Sequence, residues 1–381
     1  MQQHNNGLND SIDSPKDNKI APAFDYSLIE GIGNISPTET LEHVNGIIQQ
    51  GNEAKESKGL FIVKTASRWI EQVKGQPIPK MLFSEFWFEG ELCILFADSN
   101  LGKSILAVQI SNSISKGERI RGFKLETESQ PILYCDFELS AKQFEIRYSV
   151  KNEVEKKFEQ HYNFNENFKR VEINPDAGIP EAQTFEDYLN HSLERSIAET
   201  EARVLIIDNL TYLKNETERA KDALPLMKHL KALKNKYGLS ILALAHTPKR
   251  DLSKPITKND LQGSKMLYNF CDSCFAIGES HSDKNLRYLK QIKQRNTEWI
   301  YDAENVCVCQ IDKPLNFLLF EFVNFGKEWE HLKQHTEKDK ENLNEKVNEL
   351  KQQGRSLRDI GAELGISHMK VSRIIKDCNT L

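Results

Sequence analysis

The sequence has no long run of hydrophobic residues and no excess of positive charge. Of its 381 residues 39% are hydrophobic, and 51 Lys and Arg stand against 56 Asp and Glu, a net charge of −5. The missing apolar runs argue against a membrane span, and the polar residues 1–11 lack the apolar core of a signal peptide, so we expect a cytoplasmic protein. The charge balance restricts nucleic-acid contacts to local basic patches.

Cysteine is also scarce. The seven cysteines are odd in number and lie mostly inside apolar runs, which is typical of reduced thiols packed as small hydrophobic residues. Cys271 and Cys274, together with Cys307 and Cys309, could instead be drawn as a zinc site. Because both pairs stand in strand-like surroundings, the sequence favours buried structural cysteines.

Residues 91–109, ELCILFADSNLGKSILAVQ, predict a strand, a phosphate-binding loop and a helix. Gly102 lets the backbone approach a phosphate, Lys103 can neutralise the β- and γ-phosphates, and the Ser104 hydroxyl can bind Mg²⁺. The N–H groups at the start of the helix add positive charge. Nucleotide contacts are therefore predicted for Ala97, Asp98, Ser99, Asn100, Leu101, Gly102, Lys103, Ser104 and Ile105.

The loop departs from the G-x-x-x-x-G-K-[ST] pattern at Ala97, which replaces the first glycine. Alanine fits if the local φ is negative, but it narrows the freedom of the loop. Asp98 and Asn100 also place unusual polar groups beside the bound anion. The loop therefore supports nucleotide binding more strongly than it supports hydrolysis.

Three more buried strands end in residues suited to phosphate chemistry. Glu138 follows the first, Asp208 closes the second in a Walker B pattern that would hold Mg²⁺, and His246 ends the third. The carboxyl ends of strands are where ligands bind in an open α/β sheet, and alternation of strands and helices predicts a parallel sheet. His246 is either a γ-phosphate sensor or a structural histidine.

The region after His246 supplies basic residues. Residues 247–262 form a long loop that is basic in its first half, and long loops of this kind are usually functional or disordered. Residues 286–295 predict a strand on which alternation places Lys293 and Arg295 on the same side.

Taken together, these motifs resemble the RecA-like ATPases, and specifically the RepA-type and DnaB-type hexameric helicases. The resemblance covers about residues 65–325 and rests on the loop 97–104, Glu138, Asp208, His246 and the Lys293-x-Arg295 pair. It implies an α/β fold, a RecA-like P-loop core with a mainly parallel central sheet flanked by helices. It also implies that ATP and Mg²⁺ bind here, through Lys103, Ser104 and Asp208, and that Glu138 activates water.

The resemblance further implies a homo-oligomer, expected as a hexameric ring. Lys293 and Arg295 would reach the γ-phosphate held by the adjacent subunit, whereas a solvated strand face is the alternative. Loops at the ring centre would contact single-stranded DNA without reading its sequence, through Lys214, Lys249 and Arg250.

The chain divides into four predicted segments: a disordered arm at 1–58, the ATPase domain at 59–330, a linker at 331–343 and a small all-α helix-turn-helix domain at 344–381. A helix capped by Thr65 precedes the core strands. In the last segment Ser356 and Ser367 are expected N-caps and Gly361 allows close helix crossing. Duplex DNA contacts are predicted for His368, Lys370, Ser372, Arg373 and Lys376, and a protein-docking bundle is the alternative.

The sequence therefore predicts an ATP-dependent DNA-binding motor or switch. ATP hydrolysis would be coupled to DNA binding or unwinding, in replication or mobilisation of a plasmid or mobile element, a setting that rests on the family resemblance alone. The alternative is an ATP-switched DNA-binding regulator without helicase activity.

Overall fold

The structure is a computed structural model that describes residues 61–213, 220–262, 264–334, 337–364 and 366–378. They fall into two units, one ending at Pro77 and one beginning at Ile78. The predicted arm at 1–58, the predicted DNA contact Lys214 and Gly365 lie outside the described residues.

All the strands of the described residues lie in the larger unit, between Met81 and Gly326. In chain order the strands are β1 (Met81–Phe83), β2 (Trp87–Phe88), β3 (Leu92–Ala97), β4 (Ile132–Asp136), β5 (Val150–Asn152), β6 (Lys157–Glu159), β7 (Phe168–Val171), β8 (Val204–Asp208), β9 (Ser240–His246), β10 (Ser273–Glu279), β11 (Leu286–Lys293), β12 (Val306–Asp312) and β13 (Leu319–Gly326). The helices are α1 (Ala66–Val73), α2 (Lys103–Lys116), α3 (Ala141–Arg147), α4 (Phe185–Thr200), α5 (Ala220–Tyr237), α6 (Ser264–Phe270), α7 (Glu328–His331), α8 (Glu337–Gln352), α9 (Leu357–Leu364) and α10 (His368–Cys378), with 3₁₀ turns at Leu210–Leu213 and Lys258–Asp260.

The central sheet of the described residues has nine strands in the order β13-β12-β11-β10-β3-β9-β8-β4-β7. The strands from β10 to β7 pair in parallel, and β11, β12 and β13 extend one edge by antiparallel pairing. This confirms the predicted α/β fold with a mainly parallel sheet. The sequence of β3 is apolar throughout, and those of β4 and β8 are free of charge up to their terminal aspartates, because both faces of a parallel sheet are covered.

Alternation along β3 divides its side chains between two cores. Ile94 packs with α4 and α5 on one face of the sheet, and Leu95 packs with α2 and the β1-β2 hairpin on the other. The register then aligns the strand ends, because Ala97 pairs with His246 and Asp136 pairs with Asp208. The residues singled out at the ends of different strands are thereby brought to one edge of the sheet.

The element bounds agree with the sequence pattern in most places. Helix α2 begins at Lys103, within the residues 91–109 that predict a strand, a loop and a helix. Strand β11 ends at Lys293, so Arg295 lies beyond the strand that was expected to contain it. Helix α8 begins at Glu337, inside the segment predicted as a linker.

Helix α1, considered by itself, begins where the sequence predicts. The Thr65 hydroxyl accepts a hydrogen bond from the Arg68 backbone N–H at 3.3 Å. No residue of this helix is buried, and Trp69 and Ile70 are exposed.

The C-terminal helices α8, α9 and α10 share a small core of their own around Val347, Ile360 and Val371. Ser356 accepts from the Asp359 N–H and Ser367 from the Lys370 N–H, both at 3.2 Å, so both predicted caps are confirmed. A Cβ on Gly361 would lie 2.7 Å from the Ile366 carbonyl oxygen, which explains the glycine at this helix crossing.

The cysteines of the described residues that pack in the sheet are free and buried, as the strand-like pattern predicts. Within the same ranges no group of His, Cys, Asp and Glu is arranged to hold a metal ion through these residue types alone. None of the described helices is long and apolar enough to span a membrane.

Candidate nucleotide-binding site

The phosphate loop connects β3 to α2. Gly102 has φ +96°, and a Cβ there would lie 2.8 Å from the Phe320 ring, so both backbone and space require glycine. Ala97 is the last residue of β3, an extended conformation that any residue adopts. The replacement of the first glycine by alanine is therefore accommodated without strain.

The Lys103 ammonium lies in the middle of the loop and is buried. It donates to the carbonyl oxygens of Ala97 at 3.0 Å and Asp98 at 3.2 Å, and Nζ lies 3.3 Å from Nδ1 of His246. Burial lowers the pKa of Lys103, because desolvation disfavours the cation. A triphosphate would supply the negative charge that favours the ammonium form.

Asp208 is fully buried at the end of β8. Its Oδ2 accepts from the Tyr134 hydroxyl at 2.7 Å, while Oδ1 has no hydrogen-bond partner among the described residues. Burial raises the pKa of Asp208 to about 6, and the nearby Ser104 hydroxyl acts in the opposite direction. A buried carboxylate oxygen without a donor, beside a hydroxyl, fits the hard oxygen ligands of Mg²⁺.

Glu138 is held by the ends of the two neighbouring strands. The Asn209 side-chain amide donates to Glu138 Oε1, and Nε2 of His246 lies 3.4 Å from the same oxygen. Nε2 of His246 also lies 2.8 Å from the Asn209 amide nitrogen, so the imidazole stands between the Lys103 ammonium on one side and the amide and carboxylate on the other. The hydrogen bond with His246 lowers the pKa of Glu138, so the carboxylate is ionised at neutral pH.

Asp136 stabilises the turn that carries Glu138. Its Oδ1 accepts from the backbone N–H groups of Glu138 at 3.2 Å and Leu139 at 2.9 Å, and its Oδ2 pairs with Arg170 at 2.9 Å. Asp136 is structural, and Glu138 faces the phosphate loop.

Three residues of the site give weak signals in sequence. Asn209 follows the Walker B aspartate, Tyr134 lies within an apolar strand, and Thr247 begins a loop. Asn209 and Thr247 directly follow the ends of β8 and β9, so a rule based on strand ends could have found both, whereas Tyr134 in the middle of β4 gives no such signal.

Arg250 has a different environment from the one predicted. Its side chain is 5% exposed, and Nε lies 3.5 Å from Oδ2 of Asp98 in the phosphate loop. Lys249, next to it, is exposed. The arginine therefore faces the nucleotide site of its own chain and is not displayed for DNA, because the loop folds back on the P-loop.

Lys293 and Arg295 also make contacts within their own chain. The Lys293 ammonium donates to the carbonyl oxygen of Cys271 at 2.7 Å and to that of Tyr268, which caps the end of α6. Arg295 pairs with Asp272 at 3.1 Å and is half exposed. Lys293 is therefore not a solvated side chain, whereas Arg295 lies beyond the end of β11 and is exposed.

The remaining predicted residues divide by exposure. Ser99 and Asn100 are exposed at the tip of the phosphate loop, Leu101 is buried, and Ile105 is half-buried. On α10 the side chains of His368, Lys370, Arg373 and Lys376 are exposed, and Ser372 is half-buried.

Comparison with known proteins bears on the same region. Residues 63–251 match a family described as AAA domain, a range that includes Lys103, Glu138, Asp208 and His246. No curated protein matches the chain. Among solved structures, the chain is similar to a KaiC-like protein from the hyperthermophilic archaeon Pyrococcus horikoshii OT3, with 12% identity, 61% of this chain and 91% of that chain covered, and a TM-score of 0.38. The family match and the constellation at the strand ends together support a P-loop ATPase domain in this chain.

Proposed function

We propose that this protein couples ATP hydrolysis in the RecA-like core to DNA binding. The observation that carries the hydrolytic part is the position of Glu138, which Asn209 and His246 hold at the strand edge that also presents Lys103. An ionised carboxylate beside a phosphate-binding lysine is the arrangement that water activation requires.

Each group has a distinct task in this proposal. Lys103 and the first N–H groups of α2 bind the phosphates, and Glu138 accepts the proton of the attacking water. Ser104 and Asp208 would hold Mg²⁺, which when bound neutralises charge on the phosphates. His246 and Asn209 orient Glu138 and keep it ionised, and Asp98, Ser99 and Asn100 shape the loop around the phosphates.

The DNA-binding part rests on the C-terminal helices. Helix α10 exposes His368, Lys370 and Arg373, whereas Val371 and Ile374 are buried. A helix with a basic outer face on a compact support suits the major groove of duplex DNA. The core contributes less, since Lys249 is exposed while Arg250 is engaged with Asp98.

The environment of Arg250 favours a switch over a motor. A motor needs several basic side chains that follow a single DNA strand through the ring, and the side chain of Arg250, one of the three predicted for that task, is packed beside Asp98. We therefore propose that ATP controls DNA binding, with unwinding as the alternative. Assembly into a ring, and a setting in replication or mobilisation of a mobile element, remain proposals from the family resemblance.

The test measures phosphate release by the full chain with no DNA, with single-stranded DNA and with duplex DNA. ATPase activity is expected, and Glu138→Gln should bind ATP but hydrolyse it at least about 100-fold more slowly. If the wild-type protein, with Mg²⁺ present, neither binds nor hydrolyses ATP, the proposed function is wrong.

A second experiment tests the two DNA alternatives. Lys370→Ala with Arg373→Ala should weaken duplex binding and reduce the slope of log K against log salt by about 0.9 for each phosphate that the protein no longer neutralises. Strand displacement from a forked substrate would favour a motor. Stimulated hydrolysis without displacement would favour a switch.

A further inference from the structure

The phosphate loop contains a carboxylate, which is unexpected in a site that binds a polyanion. Asp98 follows Ala97 directly, and its own backbone carbonyl accepts from Lys103 at 3.2 Å. Its side chain is 30% exposed. A bound triphosphate at this loop would be repelled by an uncompensated carboxylate, because like charges at such distances disfavour each other.

Two residues of the loop after β9 compensate Asp98. The Thr247 hydroxyl donates to its Oδ1, and Arg250 Nε lies 3.5 Å from its Oδ2. The backbone N–H of Thr247 also donates to the carbonyl oxygen of Ala97 at 3.3 Å. The loop that begins at Thr247 therefore contacts the phosphate loop through a backbone hydrogen bond, a hydroxyl hydrogen bond and an ion pair.

The side chain of Arg250 is packed inside the protein and is hardly exposed to solvent. Its side chain is 5% exposed, Nη1 donates to the Lys254 carbonyl oxygen at 3.1 Å, and its guanidinium neighbours the Tyr288 hydroxyl. A buried guanidinium needs an anionic partner to offset its desolvation. Asp98 is the carboxylate that the described residues place beside it.

We propose that Arg250 is a positioning residue of the phosphate loop and acts through Asp98. The inference rests on the proposed ATP-binding function. Arg250 neutralises the carboxylate and, with Thr247, holds it toward the loop 247–254, so that the backbone N–H groups and Lys103 face the phosphates. Asp98 and Arg250 neutralise each other, so loss of either side chain leaves the charge of the other unpaired next to the nucleotide.

The test measures binding of a fluorescent ATP analogue with Mg²⁺ to four full-length proteins. Arg250→Met keeps the volume and removes the charge, and it should weaken binding about tenfold or more, as removal of one partner of a buried pair does. Asp98→Asn alone should weaken binding less than Arg250→Met does, because the charge that it leaves unpaired is a cation, which attracts the triphosphate. The double variant should recover to within about threefold of wild type, because the repelling carboxylate is gone.

Recovery in the double variant separates this role from a purely structural one. If Arg250 only supported the fold, Asp98→Asn would not restore binding, and a double variant as weak as Arg250→Met overturns the proposal. Arg195→Ala is the matched control, since it removes an arginine that pairs with Glu199 on the surface and is 79% exposed. Arg250→Lys keeps the charge with fewer donors and should bind ATP with an affinity between those of wild type and Arg250→Met. It takes the place of Arg250→Met in the comparison if the methionine variant folds poorly.

A measurement without nucleotide keeps the inference distinct from the proposed function. In amide hydrogen exchange, Arg250→Met should speed exchange in residues 97–104 and 247–254, and adding Asp98→Asn should speed it no further, because both changes break the same ion pair. Unchanged exchange in both loops overturns the proposal. If wild type does not bind ATP, the proposed function fails while this exchange result still decides whether Arg250 orders the loop.

Discussion

Nζ of Lys103 lies 3.3 Å from Nδ1 of His246, so the phosphate lysine and the histidine at the end of the next strand are direct neighbours. The same histidine lies 3.4 Å from Glu138 through its other nitrogen. A cation, an imidazole and a carboxylate thus stand in a row at the strand edge. Any phosphate that draws Lys103 toward itself also changes the partner of His246, which connects phosphate binding with the position of Glu138.

Lys103→Met should abolish hydrolysis without harming the fold. The methionine keeps the apolar stem and removes the charge that contacts phosphate, and burial of that charge is unfavourable in the free protein, as the lowered pKa of Lys103 indicates. We expect no phosphate release and an unchanged or slightly raised melting temperature. Full turnover in this variant would disprove the role of the phosphate loop.

His246→Ala should lower kcat and alter its pH dependence. The hydrogen bond from His246 is the largest cause of the lowered pKa of Glu138, so its removal raises that pKa toward the ordinary value. The ionised base is then lost at a higher pH, and the acidic limb of the kcat profile should move to higher pH. An unmoved limb would mean that His246 does not tune Glu138, whatever the change in rate.

Asn209→Ala tests the residue that sequence reasoning passed over. The side-chain amide donates to Glu138, while its Oδ1 accepts from the Thr211 N–H at 2.7 Å. Without it the carboxylate loses a donor and an orienting partner, and kcat should fall about tenfold or more with little change in KM. Asn209→Asp should be worse, because a second carboxylate would repel Glu138. Wild-type activity in both variants would show that Asn209 has no role in the site.

The fold and most strand-end residues could be predicted because their signals are local. Apolar runs that end in Asp208 or His246, and a glycine followed by Lys103, need only a few consecutive residues to be recognised. The same holds for Ser356 and Ser367, which cap helices a few residues away. Parallel pairing then brings such strand ends together without further information.

The roles of the basic residues could not be predicted, since they depend on contacts between distant segments. Arg250 stands in a basic loop, and only the fold brings Asp98 within 3.5 Å. Lys293 caps the end of α6. Glu328, in a charged stretch, is 1% exposed and forms an ion pair with Lys290. Composition indicates solvent exposure in each case, and packing of the chain decides otherwise.

Asp208→Asn should stabilise the metal-free protein at neutral pH. The pKa of Asp208 is raised from 3.8 to about 6 in the folded protein, so the folded state binds more protons than the unfolded state between these values. Stability therefore falls as pH rises through this window, by roughly 3 kcal/mol at most. Urea unfolding with EDTA should show the variant more stable at pH 7.5 and little different near pH 4. An advantage that does not shrink at pH 4 would contradict a buried charge at this position.

The last prediction concerns whether the site is shared between subunits. Lys293→Ala should destabilise the chain by about 1–3 kcal/mol, because partly buried carbonyl groups at the end of α6 lose their donor. Arg295→Ala removes only a half-exposed pair with Asp272 and should change stability by less than about 1 kcal/mol. A large loss of hydrolysis in Arg295→Ala would then come from chemistry and not from unfolding.

If Arg295 acts on the neighbour's nucleotide, mixing Arg295→Ala with the inactive Lys103→Met protein should restore part of the hydrolysis. An interface in the mixture can combine an intact Lys103 site with an intact Arg295 from the adjacent subunit, and the regained rate should rise with protein concentration as assembly does. Mass measurement must show mixed oligomers for the comparison to count. Mixed oligomers that remain as inactive as the separate variants would place Arg295 in its own chain, paired with Asp272, and outside the chemistry.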